Sequence, residues 1–188
     1  MKNELKERYT SQAVPALKER FALKNPHEVP NVEKVVLNFH IGRFTNDRKV
    51  AVEDALEDLS KITGQRPSVV FAKKSVANFK VREGEAVGAR VTLRGQRMWE
   101  FLDRFINITA PNVRDFRGFP FKSFDGRGNY AMGITDQSIF PEIELDQVKR
   151  QLGFDLIIVT STDNNEQAKS LLELIGFPFR KQAEQSAA

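Results

Sequence analysis

The chain has 188 residues, 40% of them apolar and 29% charged, the balance of a globular domain with a sizeable core. No apolar run approaches the length of a membrane span, and Met1-Lys2-Asn3-Glu4 leads into mixed charge rather than a signal core, so no membrane partner and a cytoplasmic address are expected. Cysteine is absent, which removes disulfides, zinc–thiolate sites, iron–sulfur clusters and thiol nucleophiles together.

Leu5, Tyr9, Ala13, Leu17 and Phe21 recur every four residues and predict an amphipathic helix that Pro15 kinks or splits. Val35, Leu37, Phe39 and Ile41 then alternate with Lys34, Val36, Asn38 and His40, a strand with one apolar and one mixed face. Asp47 is a candidate cap for a helix burying Val52, Ala55, Leu56, Leu59 and Ile62, with Gly64 as its stop. Residues 68–72 read as a short strand, and 73–88 as a long, flexible, hairpin-like basic loop, strand-like near 79–81.

Ala89, Val91 and Leu93 alternate with Arg90, Thr92 and Arg94 in another strand. A helix from Gln96 presents Met98, Trp99, Leu102, Phe105 and Ile106 and stops before Pro111. Residues 112–141 are rich in Gly, Phe and Arg, with 119–124 and 130–135 extended. Residues 154–161 are apolar on both faces, as in an interior strand. Asp163 and Glu166 form a capping box for a last helix that buries Ala168, Leu171, Leu172 and Ile175 and ends at Gly176. These elements predict one domain over 1–181 and a disordered tail over 182–188, which has nothing to bury. The fold class is α+β: a mostly antiparallel sheet with helices on one face and the other face open.

Charge is uneven along the chain. Residues 1–60 carry 10 basic and 10 acidic side chains, residues 61–134 carry 14 and 6, and residues 135–188 carry 5 and 9. A basic middle suggests a polyanionic partner, and an acidic end a different one. On the predicted open face, Lys34, Asn38 and His40 would stand beside Arg90, Thr92 and Arg94. Such groups suit phosphates, ribose hydroxyls and base edges, and a broad sheet face suits the shallow minor groove of A-form RNA. An ordinary solvated sheet face alternates in the same way, so periodicity does not choose between them.

Lys73, Lys74, Lys80 and Arg82 cluster around Ser75, Asn78 and Phe79, and such cations repel until an anion arrives. Phe79 either stacks on a base or, as the simpler expectation, anchors the loop to the core. The phenylalanines of 116–124 suggest a loop that orders against a partner, with packing over the core as the alternative; no Gly-Lys-Ser/Thr run supports a phosphate loop. Neither His27 nor His40 has a carboxylate at a fixed spacing. Asp54/Asp58 and Glu142/Glu144 read as a solvated helix face and a strand edge. Catalysis, a metal and a cofactor are therefore not expected, and the other reading is an adapter whose basic loop meets an acidic protein.

Several runs, in order, resemble the bacterial large-subunit ribosomal protein "L-five" family. They include Lys73-Lys74-Ser75-Val76-Ala77, Phe79-Lys80-Val81-Arg82, Val91-Thr92-Leu93-Arg94-Gly95, Arg97-Met98-Trp99-Glu100-Phe101, Arg114-Asp115-Phe116-Arg117-Gly118, Ser123-Phe124-Asp125-Gly126-Arg127-Gly128-Asn129-Tyr130 and Phe177-Pro178-Phe179-Arg180-Lys181. The resemblance covers roughly 29–181 and implies helices over one face of an antiparallel sheet, with 5S rRNA bound in the central protuberance among large-subunit rRNA and neighbouring proteins. It implies 5S rRNA contacts at Asn38, Gln65, Phe79, Thr92 and Arg94, to which the strand pattern adds Lys34, His40 and Arg90. It also implies that Lys73, Lys74, Ser75, Asn78, Lys80 and Arg82 approach peptidyl-site tRNA, and that the protein bridges to a small-subunit head protein.

The sequence departs from the family twice. The family run Asn-x-Gly-x-Gly is here Asn38-Phe39-His40-Ile41-Gly42, and Leu152 stands where an arginine usually precedes Gly153.

Overall fold

In the computed structural model, which describes residues 3–41, 47–113, 115–144, 146, 148 and 150–180, the N-terminal helix is not a plain α-helix. α1 (Glu4–Arg8) passes through a π-helical turn at Tyr9–Ala13 into α2 (Val14–Arg20). The Pro15 ring would strike the carbonyl four residues back, so the turn widens and Val14 N–H reaches the Tyr9 carbonyl instead. The proline is absorbed rather than dividing the helix.

β1 (Val32–His40) leads to α3 (Arg48–Thr63), which Gly64 ends in a left-handed conformation, φ +64°, with its N–H on the Ser60 carbonyl. Asp47 occupies the cap position, but its side chain makes no capping bond and lies 3.5 Å from Arg150. β2 (Ser68–Phe71), β3 (Ala86–Leu93) and α4 (Gly95–Arg104) follow. After α4 the helical path does not stop before Pro111. A second π turn at Phe105–Thr109, closed by Ala110 N–H on the Phe105 carbonyl, carries it through a 3₁₀ turn at Ala110–Asn112. β4 (Tyr130–Ile134) and β5 (Phe154–Thr160) precede α5 (Asn165–Leu174). The α5 cap is Asn164, whose side-chain oxygen accepts from Glu166 N–H at 2.8 Å, one residue after the Asp163 expected there.

The five strands form one sheet in the order β2-β3-β1-β5-β4, every neighbouring pair antiparallel, so the architecture is α+β. One face carries Val35, Leu37 and Phe39 of β1, Ala89, Val91 and Leu93 of β3, Leu156 and Ile158 of β5 and Tyr130 and Met132 of β4, all buried. α3 lies against β3 and α4 against β1 on this apolar side. β5 is an interior strand as expected, but its second apolar set, Ile157 and Val159, is only half-buried and belongs to the other face.

The phenylalanine-rich segment is folded onto the core, so the expectation of a loop awaiting a partner does not hold for it. Buried Phe119 meets the rings of Phe105, Phe116 and Phe177 at centroid distances of 5.9, 5.0 and 5.3 Å. Phe121 stacks on Phe179 at 4.7 Å, and residues 121–123 form a 3₁₀ turn rather than extended chain. The Tyr130 hydroxyl donates to the Pro120 carbonyl at 2.8 Å, and burial pushes its pKa up to about 12. The tail predicted at 182–188 lies outside the described residues.

Candidate nucleic-acid interface

Strand register lines up the side chains of the open face in rows. One row runs Ser68–Arg90–Asn38–Asp155–Gly133 across all five strands. The next runs Thr92–Val36–Ile157–Ala131, and Lys34 pairs with Val159. Polar groups therefore alternate with a short apolar strip. Arg90 and His40 are exposed, whereas Lys34, Asn38 and Thr92 are half-buried.

Gln65 reaches the same surface from the connector after α3. Its side-chain N–H donates to the Thr92 carbonyl at 3.2 Å, which fixes it beside the end of β3. Arg94, exposed, follows β3 directly in extended conformation at the start of α4. The Thr92 hydroxyl makes no hydrogen bond among the described residues. Lys34, Asn38, His40, Gln65, Arg90, Thr92 and Arg94 thus share one surface or its rim, while Phe79 stands apart on the basic turn.

The surroundings of His40 accommodate its ring. Gly88 lies opposite, where a Cβ would stand 2.4 Å from the Phe39 carbonyl oxygen, so no neighbouring side chain crowds the ring from β3. Across β5, His40 Nε2 lies 2.6 Å from Asp155 Oδ2 and 2.9 Å from the Asn38 carboxamide nitrogen. This histidine does have a carboxylate partner, contrary to the spacing argument, because the partner lies on another strand.

The basic loop is more ordered than its sequence suggests. Val76 and Val81 bond each other in both directions, at 2.9 and 3.2 Å, around a 3₁₀ turn at Ala77–Phe79. Arg48, only 4% exposed at the start of α3, donates to the Lys80 carbonyl at 3.2 Å and meets Glu85 at 2.6 Å. The Glu85 carboxylate also accepts from Arg82 N–H at 3.0 Å, and that bond, with the Arg48 guanidinium, holds its pKa below the usual carboxylate range. Ser75 is partly occupied within the loop, accepting from Glu83 N–H at 2.9 Å. Lys73, Lys74, Asn78, Lys80 and Arg82 remain exposed. Phe79 is 71% exposed, so it does not anchor the loop to the core; the buried Arg48 does.

Two contributors escape the periodicity. Asp155 left a faint signal as the one charged residue in an otherwise apolar strand, and Arg48 left none, since its partners lie more than thirty residues along the chain. The acidic pairs are not arranged as expected either. Residues 142–144 form no strand, Glu142 is paired with Arg104, and Asp54 lies 3.8 Å from Arg150. Burial raises the pKa of Asp58, whose carboxylate accepts from Gln137 at 3.5 Å. Among the described residues no cluster of histidine and carboxylate side chains fits a metal ion, and no helix is long and apolar enough to cross a membrane.

With this surface defined, similarity to known proteins is decisive. The family model described as Ribosomal protein L5 matches residues 25–82, and that described as ribosomal L5P family C-terminus matches residues 86–179. The chain belongs to the ribosomal protein L5 family. The large ribosomal subunit protein uL5 of Rubrobacter xylanophilus is 55% identical over 176 residues, covering 94% of this chain and 97% of the relative. That of Thermoanaerobacter is 53% identical over 177 residues, and that of Leuconostoc citreum 50% over 181, covering 96% of this chain and all of the relative. Members of the ribosomal protein L5 family are structural rather than catalytic, which agrees with a site made of hydrogen-bonding and cationic groups on an uncovered sheet.

Proposed function

We propose that this structural protein of the large ribosomal subunit binds 5S rRNA through its open sheet face and so helps attach that RNA in the central protuberance of the cytoplasmic ribosome. Asn38, Gln65, Thr92 and Arg94 make the central contacts, with Lys34, His40 and Arg90 around them and Phe79 offering its ring from the adjoining turn. The observation that carries this reading is the row of polar side chains left uncovered on a sheet whose opposite face is fully buried. Such a surface meets RNA by ribose, phosphate and shape contacts rather than through a deep groove.

The turn holding Lys73, Lys74, Ser75, Asn78, Lys80 and Arg82 is proposed to contact peptidyl-site tRNA, its exposed cations displacing counterions from the tRNA backbone. Bridging to a small-subunit head protein completes the proposal and is assigned to no individual residue. Residues 1–181 act in it as one domain.

Filter binding against 5S rRNA and a length-matched random RNA, at about 150 mM salt to limit unspecific attraction, tests the sheet assignment. Preference for 5S rRNA is expected, and Thr92→Val should weaken it by about 1–2 kcal/mol through one lost hydrogen bond. Equal affinity for both RNAs would overturn the assignment. Lys74→Ala should leave binding to isolated 5S rRNA nearly intact and loosen peptidyl-site tRNA on whole ribosomes; loss of 5S rRNA binding instead would refute the division of labour.

A further inference from the structure

An open face built for RNA should repel nothing that carries phosphate, yet Asp155 sits in its central row with a side chain 46% exposed. Among the described residues its ionisable hydrogen-bonding neighbour is His40, 62% exposed, at 2.6 Å. A carboxylate only accepts, so Nε2 carries the proton at this contact, and the Asn38 carboxamide, 2.9 Å from the same nitrogen, then turns its oxygen rather than its nitrogen toward it. Nδ1 is then the atom left for a ligand. In the neutral ring it is an acceptor, unsuited to a phosphate oxygen; in the imidazolium it becomes a donor. Protonation therefore does two things together: it cancels the Asp155 charge and turns the free ring nitrogen into a phosphate ligand.

We propose that His40 and Asp155 form a proton-controlled contact to an RNA phosphate on the open sheet face, engaged when the imidazole is charged and lost when it is neutral. The proposal rests on the reading of that face as the RNA-binding surface. The charges surrounding the pair do not supply the same switch. Among the described residues β3 contributes Arg90, beside Asn38; β1 itself contributes Glu33 and Lys34 at its other end; β2 and β4 contribute none, and β5 nothing beyond Asp155. The chemistry also separates phosphate from ribose. A 2′-hydroxyl can donate to neutral Nδ1, so a ribose contact would survive deprotonation, whereas a phosphate contact would not.

The test is filter binding of the full chain to 5S rRNA from about pH 5.5 to 8, where histidine is the side chain that ordinarily changes charge, at constant ionic strength. The wild-type affinity should fall about tenfold across this range, equivalent to about 1.4 kcal/mol. His40→Gln should flatten most of that dependence, which also separates it from protonation of the RNA. Asp155→Asn should restore much of the affinity at pH 8 by removing the uncovered carboxylate. Both side chains are exposed, so a matched thermal melt should show all three proteins folded. A wild-type affinity independent of pH, with preference for 5S rRNA retained, overturns the switch and leaves the wider reading standing. So does a pH dependence that His40→Gln leaves unchanged. Loss of all preference for 5S rRNA over random RNA at every pH overturns the wider reading and the switch with it.

Discussion

Residues 73–82 and 116–130 both lack a helix or strand period and both mix cations with phenylalanine, yet they settle in opposite ways. In the second segment the rings turn inward: Phe119 is buried among Phe105, Phe116 and Phe177, and Phe124 lies 4.9 Å from Tyr130. In the first the ring turns outward and a polar staple provides the order, with Arg48 reaching from α3 to the Lys80 carbonyl and Glu85. One is held by dispersion and water exclusion, the other by charge-assisted hydrogen bonds to backbone. A phenylalanine among charges is thus no guide to burial by itself. What decides is whether the neighbouring chain supplies apolar partners, as Phe177 and Phe179 do for 116–130, whereas among the described residues Phe79 stays 71% exposed.

The contrast can be broken from the aromatic side first. Phe119→Ala should cost about 3–4 kcal/mol in urea unfolding, since it opens a cavity among three rings; a loss below about 1 kcal/mol would mean the rings do not hold the segment. Arg48→Gln should cost less, about 1–2 kcal/mol, because Glu85 is 37% exposed and can turn to water once released. Its clearer effect should be local: trypsin should cleave after Lys73, Lys74, Lys80 or Arg82 at least tenfold faster, while the sheet melts almost as before. Unchanged cleavage would show that the turn holds itself. Phe79→Ala should shift stability by about 0.5 kcal/mol or less, as expected for an exposed side chain away from the core. A larger loss, read in the same urea titration, would put its ring inside the protein after all.

Much of the sheet is legible in the chain because β1 and β3 obey a period of two and their buried sets, Val35/Leu37/Phe39 and Ala89/Val91/Leu93, are uninterrupted. The helices follow for the same reason, with Gly64 and Gly176 at their ends. The open face is half legible. Asn38, Arg90 and Thr92 could be placed outward by counting, but Asp155 could not, because β5 is apolar on both sides and its pairing with β1 spans more than a hundred residues. Caps shifted where two candidates adjoin, as Asp163 and Asn164 do, since either can reach an N–H in the first turn. Arg48 was invisible because its role depends on the return of the chain at 80 and 85 and not on its own neighbours.

The placement of β5 has a consequence for biosynthesis. Although it follows β1 by more than a hundred residues, this strand lies inside the sheet, between β1 and β4, and supplies Asp155 to the central polar row. Until residue 160 has emerged, one edge of β1 lacks its hydrogen-bonding neighbour and β4 has no strand to join. Nascent chains therefore hold an unfinished sheet face until then, and the long-range closure that completes it makes this a comparatively slow step. The open face is whole only once β5 has docked between β1 and β4.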